Sequence, residues 1–457
     1  MACRIRAPSA VLAAVATLSS GAGAVPPDTY GFGSRSSAMA GAVTADVNDF
    51  SAGYYNPAGL ASAEGIEVAI GYHGYDQRLQ VNGQDNEVDD IHGLMAGVVA
   101  PGKILGVPVA FGVGLFLPDD GISYIKARRQ GVPRWELYDT RAQLMYLQAA
   151  VAIQPVPWLE LGGGFGYLSD TTGRFGIRGR ADIIRPFDSQ LEHEVDADLT
   201  AVRFPQAGLR LLWDSWGALG VTYRGQSNLD LALDALLQGV VDFAGIEVPL
   251  LYELEAQTFA AFTPQQLAVG LSLQRFEDIS LNFDLTWVNW SAYKSPTASL
   301  FARLEIEAPD DIPLELPEQP LPAVPLPPDF RDRFVPRMGM EYRGLGFGAI
   351  REVHARNRRL VELPLRVGYV YEKSPVPDQT GVTNLIDTDR HTASFGVGVQ
   401  LHRPFEEVPG TLHLDTHAAV SVLPDRTVEK SNPADFVGDY EAGGTIIGGG
   451  VNLRLVF

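Results

Sequence analysis

The sequence predicts an all-β protein: a transmembrane antiparallel β-barrel of about 14 strands, with an N-terminal plug inside its lumen. Three observations support this prediction: a leader of the secretory type, repeated alternation of apolar and polar residues, and connections that alternate between long and short. Because 46% of its 457 residues are hydrophobic, the chain can bury a large core despite a net charge of −20. A charge of this sign argues against nucleic acid as a partner, since phosphates bind basic surfaces.

The first 24 residues have the three parts of a secretory signal peptide. Two arginines precede an apolar stretch, residues 7–18, and Ala22-Gly23-Ala24 forms a small-residue cleavage pattern. The apolar stretch is too short to span a bilayer, so we expect cleavage after Ala24 rather than an anchor. The only cysteine, Cys3, lies in this leader, and we therefore expect neither a disulfide nor a cysteine metal site in the mature chain.

Period-two alternation indicates the strands. Between Gln265 and Arg275, for example, Leu267, Val269 and Leu271 alternate with small or polar residues. The apolar face of such a strand is the core of a soluble sandwich or the lipid-facing surface of a membrane barrel, and alternation alone does not separate the two. The predicted strands lie near 65–74, 92–101, 106–117, 143–153, 157–169, 204–213, 216–226, 264–274, 279–289, 334–343, 364–373, 391–402, 410–422 and 444–457.

The lengths of the connections favour the membrane barrel. Connections after odd-numbered strands are long, whereas most of those after even-numbered strands are a few residues, which is the arrangement of outer-membrane barrels. One connection, from Gly344 to Leu363, breaks the rule, and it is either a misplaced strand boundary or a periplasmic insertion. The last strand ends on Phe457, which is similar to the C-terminal strands of outer-membrane barrels.

Motifs after the leader resemble a known family. Residues 30–46 read YGFGSRSSAMAGAVTAD and residues 54–60 read YYNPAGL; three later stretches, 108–118, 262–293 and 365–398, agree in the same order. Together they resemble the FadL/TodX family of outer-membrane transporters for long-chain fatty acids and other hydrophobic compounds. The resemblance implies a signal peptide at 1–24, a plug at 25–62 that contains the motif Asn56, Pro57 and Ala58, and a barrel at 63–457.

The resemblance also implies passive transport across the outer membrane of a Gram-negative bacterium. A hydrophobic molecule is captured by outer loops, passes the plug and leaves sideways through the barrel wall. In the family the lateral gap is associated with a kink in the third strand, for which Pro108, Gly112 and Gly114 are the candidates here. Basic residues of the lumen hold the fatty-acid carboxylate in the family, and Arg210 and Arg366 face the lumen in the predicted register.

The long connection 227–263 is the predicted capture surface. Its apolar residues follow helical spacing, and an exposed apolar helix is typical of a binding surface, although packing on a neighbouring loop is an equal alternative. The residues of this surface are Leu229, Leu233, Leu236, Leu237, Val240 and Phe243.

Motifs for catalysis are sparse. His413, Asp415 and His417 share one side of strand 13, but two histidines four residues apart on a strand are separated by roughly 13 Å, so a polar lumen lining is favoured over a metal site. We therefore expect no enzyme activity, catalytic residues, metal or cofactor, and a monomer whose partners are hydrophobic small molecules and outer-membrane lipid. The alternatives are an aromatic or alkane transporter of the same family, an outer-membrane lipid hydrolase that uses His413, His417 or the region of His391, and a non-specific porin.

Overall fold

The computed structural model describes most of the chain outside the leader. It covers residues 26–119, 133–138, 145–182, 190–213, 216–243, 246–276, 278–293, 299–306, 328–349, 359–381, 383–403, 410–432, 435 and 437–457. The predicted signal peptide lies outside these ranges. No helix within them is long and apolar enough to cross a membrane.

Fourteen strands form one antiparallel barrel in which each strand pairs with the next along the chain. The last strand pairs with the first from Val456–Glu67 to Ala442–Val81, so the sheet closes on itself. The strands are β1 (Glu67–Val81), β2 (Ile91–Ile104), β3 (Val107–Pro118), β4 (Tyr146–Val156), β5 (Leu159–Asp182), β6 (Gln190–Trp213), β7 (Gly217–Arg224), β8 (Gln266–Phe276), β9 (Ile279–Val288), β10 (Arg333–Tyr342), β11 (Leu365–Glu372), β12 (Arg390–His402), β13 (Thr411–Val428) and β14 (Tyr440–Val456).

The predicted fold class is confirmed, and each of the 14 predicted strands overlaps one strand of the barrel. The structure also decides which way the apolar faces point. In β8, Leu267 and Val269 are 41% and 42% exposed, whereas Ala268 between them is 6% exposed. The apolar side chains thus form the outer surface, with exposed Trp158 and Trp216 at the rim of short turns, as expected for a barrel surrounded by lipid.

The connection 227–263 is a β-hairpin, so the predicted helix is wrong. Ser227–Phe243 pairs with Ile246–Thr263 and, in parallel, with the outer part of β5, while Ser299–Ile306 adds a further strand. Apolar spacing alone does not separate a helix from a strand in such a segment, which explains the misreading. The side chains of the predicted capture surface, Leu229, Leu233, Leu236, Leu237, Val240 and Phe243, lie outside the described part of the structure.

The long connection from Gly344 to Leu363, between β10 and β11, is an insertion at the rim of short turns and not a misplaced strand boundary. Two short strands, Gly346–Ala349 and Arg359–Glu362, pair with each other, and the second also pairs with β12 through Val361 and Leu401. The barrel wall is therefore extended locally on this rim.

Residues 26–62, here called the inner segment, lie inside the barrel. They contain the short helices α1 (Pro26–Tyr30), α2 (Ser34–Ala38) and α3 (Ala52–Tyr55), and a 3-10 helix at Pro57–Ser62. A barrel of 14 strands is too wide for its own side chains to fill, and the inner segment occupies that space with buried residues such as Phe32, Phe50 and Leu60.

Glycines of the barrel wall let the inner segment approach the strands closely. A Cβ at Gly162 meets the backbone of Pro57 and Ala58 at 2.4 Å, and a Cβ at Gly368 meets the backbone of Met39 at 2.3 Å. The same close approach to the inner segment occurs at several further wall glycines, namely Gly97, Gly112, Gly208, Gly220, Gly270, Gly339 and Gly396. The glycines of the strands thus leave room for the inner segment next to the wall, for its backbone at Gly162, Gly220 and Gly368 and for its side chains at positions such as Gly97 and Gly112.

Gly162→Val tests this packing. The added side chain collides with the backbone at Pro57 and Ala58, so we expect a loss of about 1–3 kcal/mol of stability, typical of overpacking. The measurement is the melting temperature of the barrel, which gel electrophoresis of heated samples reports through the shift from the folded to the unfolded band. Gly102→Val is the matched control, because a Cβ there has nothing within 4 Å; equal melting temperatures for both variants would contradict the close-packing account.

Candidate functional site

The inner segment divides the lumen into two spaces. The upper cavity, toward the long connections, encloses about 80 Å³ and is lined by Tyr30, Tyr55 and Tyr75 together with polar wall residues. The lower cavity, toward the short turns, encloses about 440 Å³ and has a strongly polar lining that includes Arg35, His413 and other charged residues. Residues of the inner segment line both spaces.

The motif of Asn56, Pro57 and Ala58 joins the inner segment to the wall. Asn56 is fully buried; its side-chain oxygen accepts a hydrogen bond from the backbone N–H of Ala58 at 3.1 Å and so caps the 3-10 helix that begins at Pro57. Its amide nitrogen donates to the backbone oxygens of Thr44, at 2.8 Å, and of Leu209 in β6, at 3.2 Å. One side chain thus holds two parts of the inner segment and one strand together.

A chain of buried ion pairs links the inner segment to five strands at the level of the lower cavity. It begins on the inner segment, where Arg35 pairs with Asp46 at 2.7 Å and with Glu341 of β10 at 3.3 Å. It continues around the wall through Arg366 of β11, Asp415 of β13, Arg454 of β14 and Glu67 of β1, with N–O distances of 2.6, 2.6, 3.0 and 3.1 Å. Each charge has an opposite neighbour, which offsets the cost of burial.

Arg210 and Arg366 face the lumen as expected, but both already have carboxylate partners. Arg210 pairs with Glu160 at 3.2 Å and donates to the backbone oxygen of Val47 at 3.0 Å. Arg366 is fully buried between Glu341 and Asp415. Arg210 thus joins the wall to the inner segment, Arg366 joins two carboxylates of the wall, and neither arginine is free for a ligand carboxylate.

The arginine that sequence reasoning missed is Arg337. Three arginines line the upper cavity, and two of them are paired: Arg224 with Asp28 at 3.3 Å, and Arg390 with Glu372. Arg337 donates to the hydroxyl of Thr286 at 2.7 Å and, among the described residues, has no carboxylate within 4.0 Å. The alternation of β10 predicts that Arg337 points inward. Whether it meets a carboxylate depends on side chains of neighbouring strands, which the sequence pattern does not reveal.

Three connections cover the upper end of the lumen. Arg134–Trp135 pairs in parallel with Leu385–Ile386, and Trp135 is fully buried beneath this cover. Trp290, Tyr293 and Phe330 pack beside it, with ring centroids 4.8 to 6.4 Å apart. Burial in this cover raises the pKa of Asp387 to about 6, although the guanidinium of Arg333 opposes the shift.

The predicted kink residues of the third strand lie in ladders of regular register. The β2–β3 ladder runs from Ile104–Val107 to Gly93–Pro118 without a register shift and includes Pro108, and the β3–β4 ladder is equally regular past Gly112 and Gly114. The two glycines instead accommodate the inner segment, since Cβ atoms there meet Leu60 at 2.8 Å and Phe32 at 3.0 Å.

The polar residues of strand 13 face the lumen. Asp415 and His417 are 1% and 6% exposed, whereas Leu414, which precedes Asp415 and points to the other side, is 38% exposed. Asp415 pairs with two arginines, and the Nε2 of His417 lies 2.9 Å from the hydroxyl of Tyr75. These contacts agree with the interpretation of this side of the strand as lumen lining.

Comparison with solved structures finds the same fold in a FadL homologue and in two hydrocarbon transporters. A FadL homologue of Pseudomonas aeruginosa superposes with a TM-score of 0.56 at 15% identity, over 93% of this chain and 98% of that one. The monoaromatic hydrocarbon channel CymD gives 0.54 at 17% identity, over 93% and 97%, and the Pseudomonas putida toluene transporter TodX gives 0.52 at 16% identity, over 96% and 99%. No family model and no curated protein matches the sequence.

The predicted resemblance to the FadL/TodX family is thus confirmed at the level of the fold. A closed barrel of 14 strands with an apolar outer surface is the architecture of a bacterial outer-membrane protein. The match covers nearly the whole of both chains, so the inner segment and the barrel are compared together.

Arg35→Gln tests the attachment of the inner segment. Glu341 keeps Arg366 as its partner, but Asp46 loses its cation, and leaving a buried charge without its partner typically costs about 3–5 kcal/mol. We expect amide hydrogen exchange in residues 26–62 to accelerate about 100-fold, while the barrel strands stay protected. The control is Arg78→Gln, an exposed arginine on β1. Unchanged exchange in the inner segment would show that the ion pairs do not hold it.

Proposed function

We propose that this chain is an outer-membrane channel for the passive uptake of hydrophobic molecules, with long-chain fatty acids as its preferred substrates. The fold and the apolar outer surface support a channel that delivers its substrate into or across the membrane. The compared structures include a FadL homologue and channels for toluene and monoaromatic hydrocarbons, so the substrate class must be argued from this lumen.

The observation that carries the fatty-acid proposal is Arg337. The upper cavity is the part of the lumen that a molecule from outside meets first, and its lining combines tyrosine rings with three arginines and two carboxylates. Because Arg337 lacks a carboxylate partner among the described residues, it offers a planar pair of donors to an incoming carboxylate. An uncharged hydrocarbon has no use for this cation.

The upper cavity is too small for a whole fatty acid, so the inner segment must move before the chain can enter. Ligand pockets typically hold about 300–1,000 Å³, whereas the upper cavity encloses about 80 Å³. It admits the head of a fatty acid but not its chain. We therefore propose that the head binds first at Arg337, and that displacement of the inner segment, which acts as the plug, makes room for the chain.

A second candidate substrate is a monoaromatic hydrocarbon. The tyrosine rings of the cavity, which include Tyr54, Tyr55 and Tyr75, provide apolar faces for a small ring. The compact volume also suits such a ligand better than a long chain in the closed state. The two candidates differ in charge, so the response to removal of a cation separates them.

The test uses Arg337→Gln and a transporter-deficient bacterial strain. A charge-assisted hydrogen bond is worth about 1.5–3 kcal/mol, so we expect uptake of labelled oleate at limiting concentration to fall about 10-fold or more. Uptake of labelled toluene stays within twofold of the wild type, and Arg337→Lys retains part of the oleate uptake because it keeps the charge. Equal loss for both compounds would reject the role of Arg337, and no uptake of either by the wild type would reject the function.

A further inference from the structure

A buried carboxylate of β9 lies opposite the arginine that the upper cavity leaves without a carboxylate partner. Asp284 and Arg337 are directly paired residues of β9 and β10, and the Cβ atoms of such pairs lie about 4.5–5.5 Å apart. Both side chains point inward, since their lipid-facing neighbours Phe283 and Met338 are 47% and 51% exposed. The two charges are therefore within reach of each other, but in this structure they do not form an ion pair.

The inner segment holds Asp284 instead. The Oδ2 atom accepts hydrogen bonds from the backbone N–H groups of Val43 and Thr44, at 3.1 and 2.9 Å. The Oδ1 atom is buried and has no hydrogen-bond partner, and the residue is 5% exposed. A buried carboxylate keeps its charge only where donors or cations replace the lost water. The position of Asp284 therefore depends on the inner segment, and one of its oxygens is available for a further donor.

Arg337 is directed toward the upper cavity. It donates to the hydroxyl of Thr286 at 2.7 Å, and both residues line that cavity. Thr44 lines the same cavity, while Asp284 holds the backbone of Thr44 from the wall side. A ligand that displaces the inner segment here therefore removes the donors of Asp284 next to Arg337.

We propose that Asp284 is the positioning residue that makes Arg337 release the fatty-acid head when the inner segment moves. The inference rests on the proposed function and adds a step to it. With the inner segment in place, its amides hold Asp284, and Arg337 binds the carboxylate of the substrate. Once the segment is displaced, Asp284 loses both donors and pairs with Arg337, which expels the substrate carboxylate.

This exchange of partners reconciles tight binding with release. Charge-assisted hydrogen bonds to an arginine are strong, so a head group that met the same unpaired arginine before and after the movement would leave slowly. A second carboxylate that reaches Arg337 only after the movement lowers the affinity at that step. The head alone binds best with the inner segment in place, so the apolar chain of the fatty acid must drive the displacement.

Asp284→Asn tests the exchange. The amide keeps the size of the side chain and an oxygen for the two backbone N–H groups, but it cannot neutralise Arg337. We expect labelled oleate to dissociate from the purified full-length mature protein at least tenfold more slowly, and oleate uptake by a transporter-deficient strain to fall at least fivefold. Oleyl alcohol, which has the same chain without a charge, stays within twofold of the wild type in both measurements. Equal effects on the two ligands, or no effect on oleate, would reject the role of Asp284.

A double variant separates the exchange from packing. If Asp284 acts through Arg337, then Asp284→Asn has no further effect on oleate release in an Arg337→Gln background. Additive effects would show that Asp284 only holds the inner segment. The control is Asn452→Ala, which removes a wall acceptor for the backbone N–H of Ser34 and so loosens the inner segment away from Arg337. Its effect is equal for oleate and oleyl alcohol; a larger effect on oleate would overturn the proposal, because loosening alone would then explain it.

Amide exchange in Arg337→Gln tests the proposal without a change at Asp284. This variant removes the alternative partner of Asp284, which then stays with the inner segment, so we expect the amides of Val43 and Thr44 to exchange about tenfold more slowly. The amide of Ser34, which bonds another wall side chain, is the internal control and keeps its wild-type rate. Unchanged exchange at residues 43 and 44 would contradict the switch.

The outcomes distinguish this inference from the proposed function. If the wild type takes up neither oleate nor toluene, the proposed function fails and the exchange of partners with it. If Arg337→Gln lowers oleate uptake but leaves the exchange rates of residues 43 and 44 unchanged, the proposed function stands and the role of Asp284 alone is rejected.

Discussion

The close contact between wall glycines and the backbone of the inner segment is the constraint on which the other features depend. A closed barrel of 14 strands leaves a space that its own side chains do not fill. The inner segment fills it only because glycines such as Gly162 and Gly368 leave room for backbone against the strands. Where the segment sits then decides which polar groups of the wall are satisfied and how the lumen is divided.

The chemistry of this contact differs between its two ends. At the lower end, Arg35 belongs to a continuous chain of buried ion pairs, and removing a member leaves charges without partners. At the upper end, one ion pair, Arg224 with Asp28, and hydrogen bonds such as that from Tyr75 to Tyr30 make the contact. A neutral hydrogen bond is worth about 1 kcal/mol. Among the described residues, fewer ion pairs hold the upper end to the wall than the lower end, so a substrate displaces the upper end at lower cost, and this end borders Arg337.

The barrel was predictable from sequence because its signals are local. Alternation such as that around Leu267 needs only neighbouring residues, and the lengths of connections are read directly. The connection 227–263 was misread because apolar spacing alone does not separate a helix from the strands of a hairpin, whose pairing is set by other parts of the chain. The lumenal arginines show a different limit. Alternation places Arg210, Arg337 and Arg366 inside, but only the pairing of distant strands reveals that Glu160, Glu341 and Asp415 neutralise two of them.

Electrical conductance across a planar lipid bilayer tests most directly whether the inner segment closes the barrel. We expect the full-length mature protein to show little ion conductance, because residues 26–62 separate the upper and lower cavities. Deletion of residues 25–62 removes the contents of the lumen and raises the conductance sharply, toward that of an open barrel of this width. High conductance of the intact protein, or no rise after the deletion, would contradict the account and favour a non-specific porin.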